Sequence, residues 1–152
     1  MLRQLCIGII LILGWFYTSN GYALNNDAMA KEIVMYINQF RMSQGLPKLV
    51  LNPILSQEAQ QHSIDMAQHR VSVGHDGFYK RMSHLHQKIQ SAQSGAENVA
   101  FNYKTAKIVS AGWIKSRGHR RNILGHYDQT GIGIAYDKQG RPYFTQLFLK
   151  TT

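Results

Sequence analysis

Near the end of this chain, Ile132, Ile134 and Tyr136 alternate with Gly131, Gly133 and Ala135, the period of two that a β-strand demands. One face of that strand is large and apolar; the other carries almost no side chain. Something must pack close to such a bare face, and the rest of the chain has to supply it. Asp137-Lys138-Gln139-Gly140 makes a tight connection, with glycine available for a positive φ, and residues 143–149 form the antiparallel partner strand.

The preceding residues read as helices. Asn26 and Asp27 can cap a first helix over 26–43, in which Ala30, Ile33, Ile37 and Phe40 fall at helical spacing and Val34 widens the stripe. Gly45 ends it, and Leu46-Pro47 starts an extended crossing. Asn52-Pro53 opens a second helix, an N-cap followed by proline at the first helical position. Its core stripe, Leu55, Ala59, Ser63 and Met66, has small residues in the middle, so a neighbour can approach closely; His62 and His69 belong at its edge or in solvent. A third helix spans 78–89, and Glu97 to Phe101 read as a short strand or an extended turn. A fourth helix fits 105–116 with Ile108, Val109, Gly112 and Trp113 inward; Gly118 breaks it, leaving 119–124 one or two turns. Helices on both sides of a small antiparallel sheet satisfy all of these faces, giving a three-layer α/β/α sandwich.

The first two dozen residues set the compartment. Arg3 gives a short positive start, Leu5 to Tyr17 is almost wholly apolar, and a polar stretch ends in Gly21-Tyr22-Ala23. This is the order of a secretory signal. A membrane span needs about 20 consecutive apolar residues, more than this run offers. Cys6 lies near the start of the apolar run, not just after it as a lipoprotein signal requires. Residues 1–23 are expected to be a signal peptide cleaved after Ala23, leaving 24–152 as one domain. Cleavage also removes Cys6, the only cysteine, so the exported domain must hold together by packing although its compartment permits disulfides. The 17 Lys and Arg outnumber the 8 Asp and Glu, and of these charges only Arg3 leaves with the leader. Such a balance favours anionic partners such as phospholipid, cell-wall polymer or lipopolysaccharide. Export argues against nucleic acid, and the cleaved product is not an integral membrane protein.

Three segments hold residues that can carry chemistry. Gly74-His75-Asp76-Gly77-Phe78 places a histidine in a glycine-flanked turn, Gly95-Ala96-Glu97-Asn98-Val99-Ala100 places a lone acid in an apolar strand, and Trp113-Ile114-Lys115-Ser116-Arg117-Gly118-His119 places a histidine just after a helix. Singly, each has an ordinary structural reading. In order, and together with Asn38-Gln39-Phe40-Arg41, Gly45-Leu46-Pro47-Lys48-Leu49, Arg81, Asn122-Ile123-Leu124, Gly131-Ile132-Gly133-Ile134-Ala135 and Tyr143-Phe144-Thr145-Gln146-Leu147-Phe148, they resemble the CAP superfamily (SCP-like; cysteine-rich secretory, antigen 5 and pathogenesis-related proteins) in its bacterial form.

The resemblance implies the CAP fold, with a cleft that gathers two histidines and acidic residues: His75, His119 and Glu97. Eukaryotic members carry a second acid three residues after the helix tryptophan, where this chain has Ser116, a position that shares a helical stripe with Val109 and Trp113. Any mechanism needing two carboxylates is then short of one. His75 and His119 are the candidate zinc ligands, with Glu97 either ligating or fixing an imidazole tautomer and water completing an open site. Ser116, His119 and Glu97 also contain the residue types of a hydrolase triad, though nothing resembles a nucleophile elbow or an oxyanion hole. Lys115, Arg117, Arg120 and Arg121, with Lys104 and Lys107 before them, form either a positive rim that draws an anionic ligand or a solvated helix end complementing the dipole. His84 and His86, two apart on a helix, do not share a face and read as surface residues.

The resulting expectation is an exported, monomeric CAP-domain protein of the periplasm or the medium. It binds an envelope or extracellular ligand (lipid, cell-wall material or a metal ion) at the His75/Glu97/His119 cleft, beside Ser116, without established catalysis. The alternatives are a metal-dependent hydrolase in which Glu97 and His119 act with His75, and a host–microbe interaction protein that uses its loops.

Overall fold

Helix α2 (Pro53–Ala67) is the element that fills the glycine face. Asn52 starts it: its Oδ1 accepts from the N–H of Ile54 at 2.8 Å and of Leu55 at 3.4 Å, and Pro53 occupies the first turn. In the computed structural model, which describes residues 10–152 and side chains from Asn25 onward, α2 lies across β3 (Gln129–Tyr136) and β4 (Pro142–Lys150). Ideal Cβ atoms on Gly131 and Gly133 would stand 2.3 Å from the backbone of Leu55 and 2.2 Å from that of Ala59. Helix and sheet therefore meet backbone to backbone, which Ser63 exploits by donating to Gly133 O at 3.0 Å.

The sheet has four strands in the order β1-β3-β4-β2, with β1 at Val50–Leu51 and β2 at Ser94–Phe101. β2, β4 and β3 pair antiparallel, with Glu97 opposite Leu147 and Gly133 opposite Thr145; β1 runs parallel to β3. Because β1 is only two residues long, it leaves the outer edge of β3 largely unpaired. Side chains fill the gap: Gln60 both donates to Ile134 O and accepts from Ile134 N, each at 2.9 Å, and Asn26 donates to the same carbonyl at 3.1 Å.

Leu55 and Ala59 of α2, Met82 and Leu85 of α3 (Phe78–Lys88), and Leu147 and Leu149 of β4 make the core on the glycine side. On the other side, Ile132, Ile134, Phe144 and Phe148 meet Ile33 and Ile37 of α1 (Ile10–Ser43) and Val109 and Trp113 of α4 (Ala106–Lys115). Each such side chain, fully buried, contributes about 1.5–3 kcal/mol. The three-layer sandwich is thus present. α5 (Arg117–Ile123) follows α4 and is anchored from below: the buried Arg41 guanidinium donates to the carbonyls of Pro47, Ile123, Gly125 and Tyr127 at 2.6–3.1 Å. Asn38 similarly pairs with both backbone groups of Leu49.

Several expectations are corrected. The first helix does not begin at Asn26–Asp27 but continues upstream to Ile10, and Asn26 directs its amide to β3 rather than to a cap. The leader expected over 1–23 lies outside the described residues for 1–9, and outside the described side chains beyond that. Ile108 is half-exposed, because α4 turns Ala106, Val109, Ser110 and Trp113 inward. The break after α4 falls at Ser116, whose backbone is extended (φ −74°, ψ 124°), while Gly118 sits inside α5. β1 and the first residues of β2 are additions to the expected strands; a two-residue strand carries no periodicity to read. Among the described residues, no helix is long and apolar enough to cross a membrane.

Candidate functional site

Glu97 lies mid-strand on β2 with its side chain only 2% exposed, deep enough that an unpaired carboxylate would be untenable. Its partner is Arg81 on α3, also buried. The guanidinium forks onto it, Nε donating to Oε2 at 2.8 Å and Nη2 to Oε1 at 2.9 Å. The outer edge of Oε1 accepts a further hydrogen bond from His75 Nδ1 at 2.9 Å. Because a carboxylate only accepts, His75 carries a proton on Nδ1, and in the neutral ring Nε2 is then the lone pair. More than half of the His75 side chain is exposed. A buried ion pair thus holds a solvent-facing imidazole in one tautomer.

The cleft above this arrangement has a volume of about 260 Å³ and is lined by His75, Phe78, Gly95, Ala96, Glu97 and Asn122. Asn122 of α5 closes its floor, donating to Glu97 O at 3.0 Å and Asn98 Oδ1 at 2.9 Å, while Asn98 donates to His119 O at 3.2 Å. These bonds moor α5 to β2. His119 is half-buried on α5, and its pKa is lowered, first by burial and then by the neighbouring His75. The turn that carries His75 ends at Gly77, the N-cap of α3, whose φ of +76° favours glycine; a Cβ there would stand 3.3 Å from Arg81 Nη1.

The structure brings His75 and Glu97 into direct contact and His119 alongside. Ser116 takes a different part: it is the hinge between α4 and α5, half-buried, and makes no side-chain cap bond. Lys115, Arg117, Arg120 and Arg121 are exposed on α4 and α5, and among the described residues none of them pairs with a carboxylate. The run from Asn98 to Tyr127 contains no Asp or Glu at all. His84 stands 3.4 Å from Glu58, and His86 is exposed, so neither approaches the cleft.

A zinc ion at this cleft would have to be held by the imidazoles of His75 and His119. They do not fit the three-ligand set of a catalytic zinc site, since both oxygens of Glu97 are taken by Arg81. Among the described residues, no three His, Cys, Asp or Glu side chains are grouped to hold a metal.

His62, expected at a helix edge or in solvent, is instead 2% exposed. Its Nε2 donates to Gly74 O at 2.8 Å and its Nδ1 accepts from Arg81 Nη1 at 3.1 Å. His69 lies beyond the end of α2, exposed, with φ +56° and its ring edge-on to Tyr143. The part played by Arg81 has a readable signal: a cation beside Met82 on the apolar face of one helix and a lone acid in an apolar strand each need an opposite charge.

Comparison with known proteins agrees with this architecture. The family model described as "CAP: Cysteine-rich secretory protein family" matches residues 34–148. Two Bacillus subtilis (strain 168) proteins are related: the uncharacterized membrane protein YlbC, 33% identical over 124 residues (79% of this chain, 34% of that one), and the uncharacterized protein YkwD, 32% identical over 124 residues (81% and 48%). The chain therefore spans less than half the length of these curated relatives. Among solved structures, an extracellular SCP-domain protein from Bacillus anthracis superposes with a TM-score of 0.69 at 27% identity, covering 82% of this chain and 41% of that one. An outer surface protein of Borrelia burgdorferi shares the fold with a TM-score of 0.66 at 21% identity, covering 78% and 91%.

Proposed function

The chain belongs to the CAP (cysteine-rich secretory protein) family, and we propose that it is an exported member that binds an anionic envelope or extracellular ligand at the His75/His119 cleft. One observation carries this reading. A solvent-facing imidazole is locked in place by a buried Glu97–Arg81 pair, directly beside a helix whose cations have no carboxylate partners among the described residues. A stretch of chain with six Lys and Arg and no acid, spread over α4, α5 and the loop before them, creates a positive field that draws anions toward α5, whose Asn122 lines the cleft. Export is supported by the signal-like leader and by the extracellular Bacillus anthracis relative. The cleft itself supplies His75 Nε2, an acceptor for a hydroxyl or N–H of such a ligand, while the cations of α5 meet its negative charge.

The test is co-sedimentation with phosphatidylcholine vesicles, with and without phosphatidylglycerol, alongside purified wall polymer. Binding is expected to require the anionic component, to weaken with added salt, and to fall in a combined Arg117→Gln, Arg120→Gln, Arg121→Gln protein; His75→Ala should reduce it further. Equal binding to neutral vesicles, or indifference to both sets of substitutions, would remove the cleft as the ligand site.

A further inference from the structure

His75 is held by more than Glu97. Beneath the cleft, His62 and Arg81 grip the backbone on both sides of it: His62 Nε2 donates to the carbonyl of Gly74, and Arg81 Nη1 donates to the carbonyl of Asp76 at 2.8 Å. The two grips depend on one another. A carbonyl cannot donate, so the bond to Gly74 puts the His62 proton on Nε2 and leaves Nδ1 as an acceptor. A guanidinium cannot accept, and Arg81 Nη1 donates into that lone pair. With Nη1 pinned between His62 and Asp76, the opposite edge of the guanidinium is turned toward Glu97, where Nε and Nη2 meet both oxygens. Glu97 then accepts the His75 Nδ1 proton. Donor and acceptor alternate without a conflict from Gly74 O through His62, Arg81 and Glu97 to His75, so the chain of bonds begins and ends on adjacent residues.

We propose that His62 is a positioning residue for the cleft, setting the tautomer and orientation of His75 through Arg81 and Glu97. The ring is sealed from solvent, so this role needs no contact with any ligand. Because the cleft is the one proposed above as the ligand site, the role builds on that reading; the tautomer itself is measured on the free protein, and a failure to find a ligand leaves the measurement standing.

The experiment is long-range proton–nitrogen NMR of the histidine rings in the full domain at neutral pH. Wild-type protein is expected to show His62 as the Nε2–H tautomer and His75 as the Nδ1–H tautomer. His62→Ala should return His75 to the tautomer mixture of a free imidazole while the amide signals of β3 and β4 keep their positions. His62→Gln offers an amide N–H to Gly74 and an oxygen to Arg81, and should restore the His75 Nδ1–H form. The role is overturned if His62 carries its proton on Nδ1, if His62→Ala leaves His75 in the wild-type tautomer, or if His62→Gln fails to hold it. Should His62→Ala not fold, the wild-type tautomers and the Gln variant decide the matter alone.

Discussion

Replacing Gly133 with alanine adds one methyl group, and the structure leaves no room for it. Its Cβ would lie 2.2 Å from Ala59 C, 2.3 Å from Ala59 O and 2.3 Å from Gln60 N, where ordinary contact begins at 3.4 Å. All three atoms belong to the backbone of α2, so no side chain can rotate away and the helix must retreat by about 1 Å. Retreat stretches the Ser63 bond to Gly133 O and the paired Gln60 bonds to Ile134. Overpacking costs about 1–3 kcal/mol, and each of the three weakened hydrogen bonds about 1 kcal/mol more, for a total of about 4–6 kcal/mol. Against a domain stability of about 5–15 kcal/mol this is a large fraction, and the melting temperature should fall by about 15–25 °C. Urea unfolding followed by tryptophan fluorescence measures it, Trp113 reporting from the opposite core. Gly118→Ala is the internal control: no atom lies within 4 Å of its Cβ, and alanine in α5 should stabilise by about 0.5–1 kcal/mol. A Gly133→Ala protein within about 0.5 kcal/mol of wild type would refute the backbone-to-backbone account of this layer.

Arg81→Met should cost about 3–5 kcal/mol in the same unfolding assay by stranding the Glu97 carboxylate, and adding Glu97→Gln should recover part of the loss; additive costs would contradict the pairing. His62 and His119 both have pKa values lowered from 6.5, each mainly by burial. The unfolded chain therefore takes up protons below that pH that the folded chain refuses. Stability is complete above 6.5, falls as the pH drops below it, and levels off under the lowered folded values. Urea midpoints at about pH 7.5 and about pH 5.5 should show the fall, and His62→Gln should reduce it. In calorimetric titration, zinc should bind weakly to the wild-type domain and not at all after His75→Ala or His119→Ala; tight binding that survives either change would place the metal elsewhere.

What the sequence makes legible follows local rules. Helix α2 can be read because Asn52-Pro53 is a start signal that acts within three residues, and the β3–β4 hairpin because alternation and a glycine-containing turn lie side by side in the chain. Glu97, His75 and His119 stand out as polar residues set in apolar or glycine-flanked surroundings, and the first two meet directly. His62 does not stand out. Its helical position looks peripheral until α3 and the 74–77 turn close over it, and that closure joins segments more than ten residues apart. The end of α4 at Ser116 is not legible for a related reason: the helical stripe runs up to that residue, and only the folded chain shows its backbone extended there.

The glycine face that most constrains the chain shows the division. By itself the sequence determined that a strand with Gly131, Gly133 and Ala135 on one side needs a close neighbour, that the neighbour must be smooth, and that three layers result, because periodicity and side-chain size are properties of neighbouring residues. Only the tertiary structure decided that Leu55 and Ala59 are what meets those glycines, that Arg81 answers Glu97, and that a buried histidine stands behind the exposed one. Those outcomes depend on which distant groups share a desolvated space, and a buried charge or lone pair takes whichever partner the packing of the layers brings within reach.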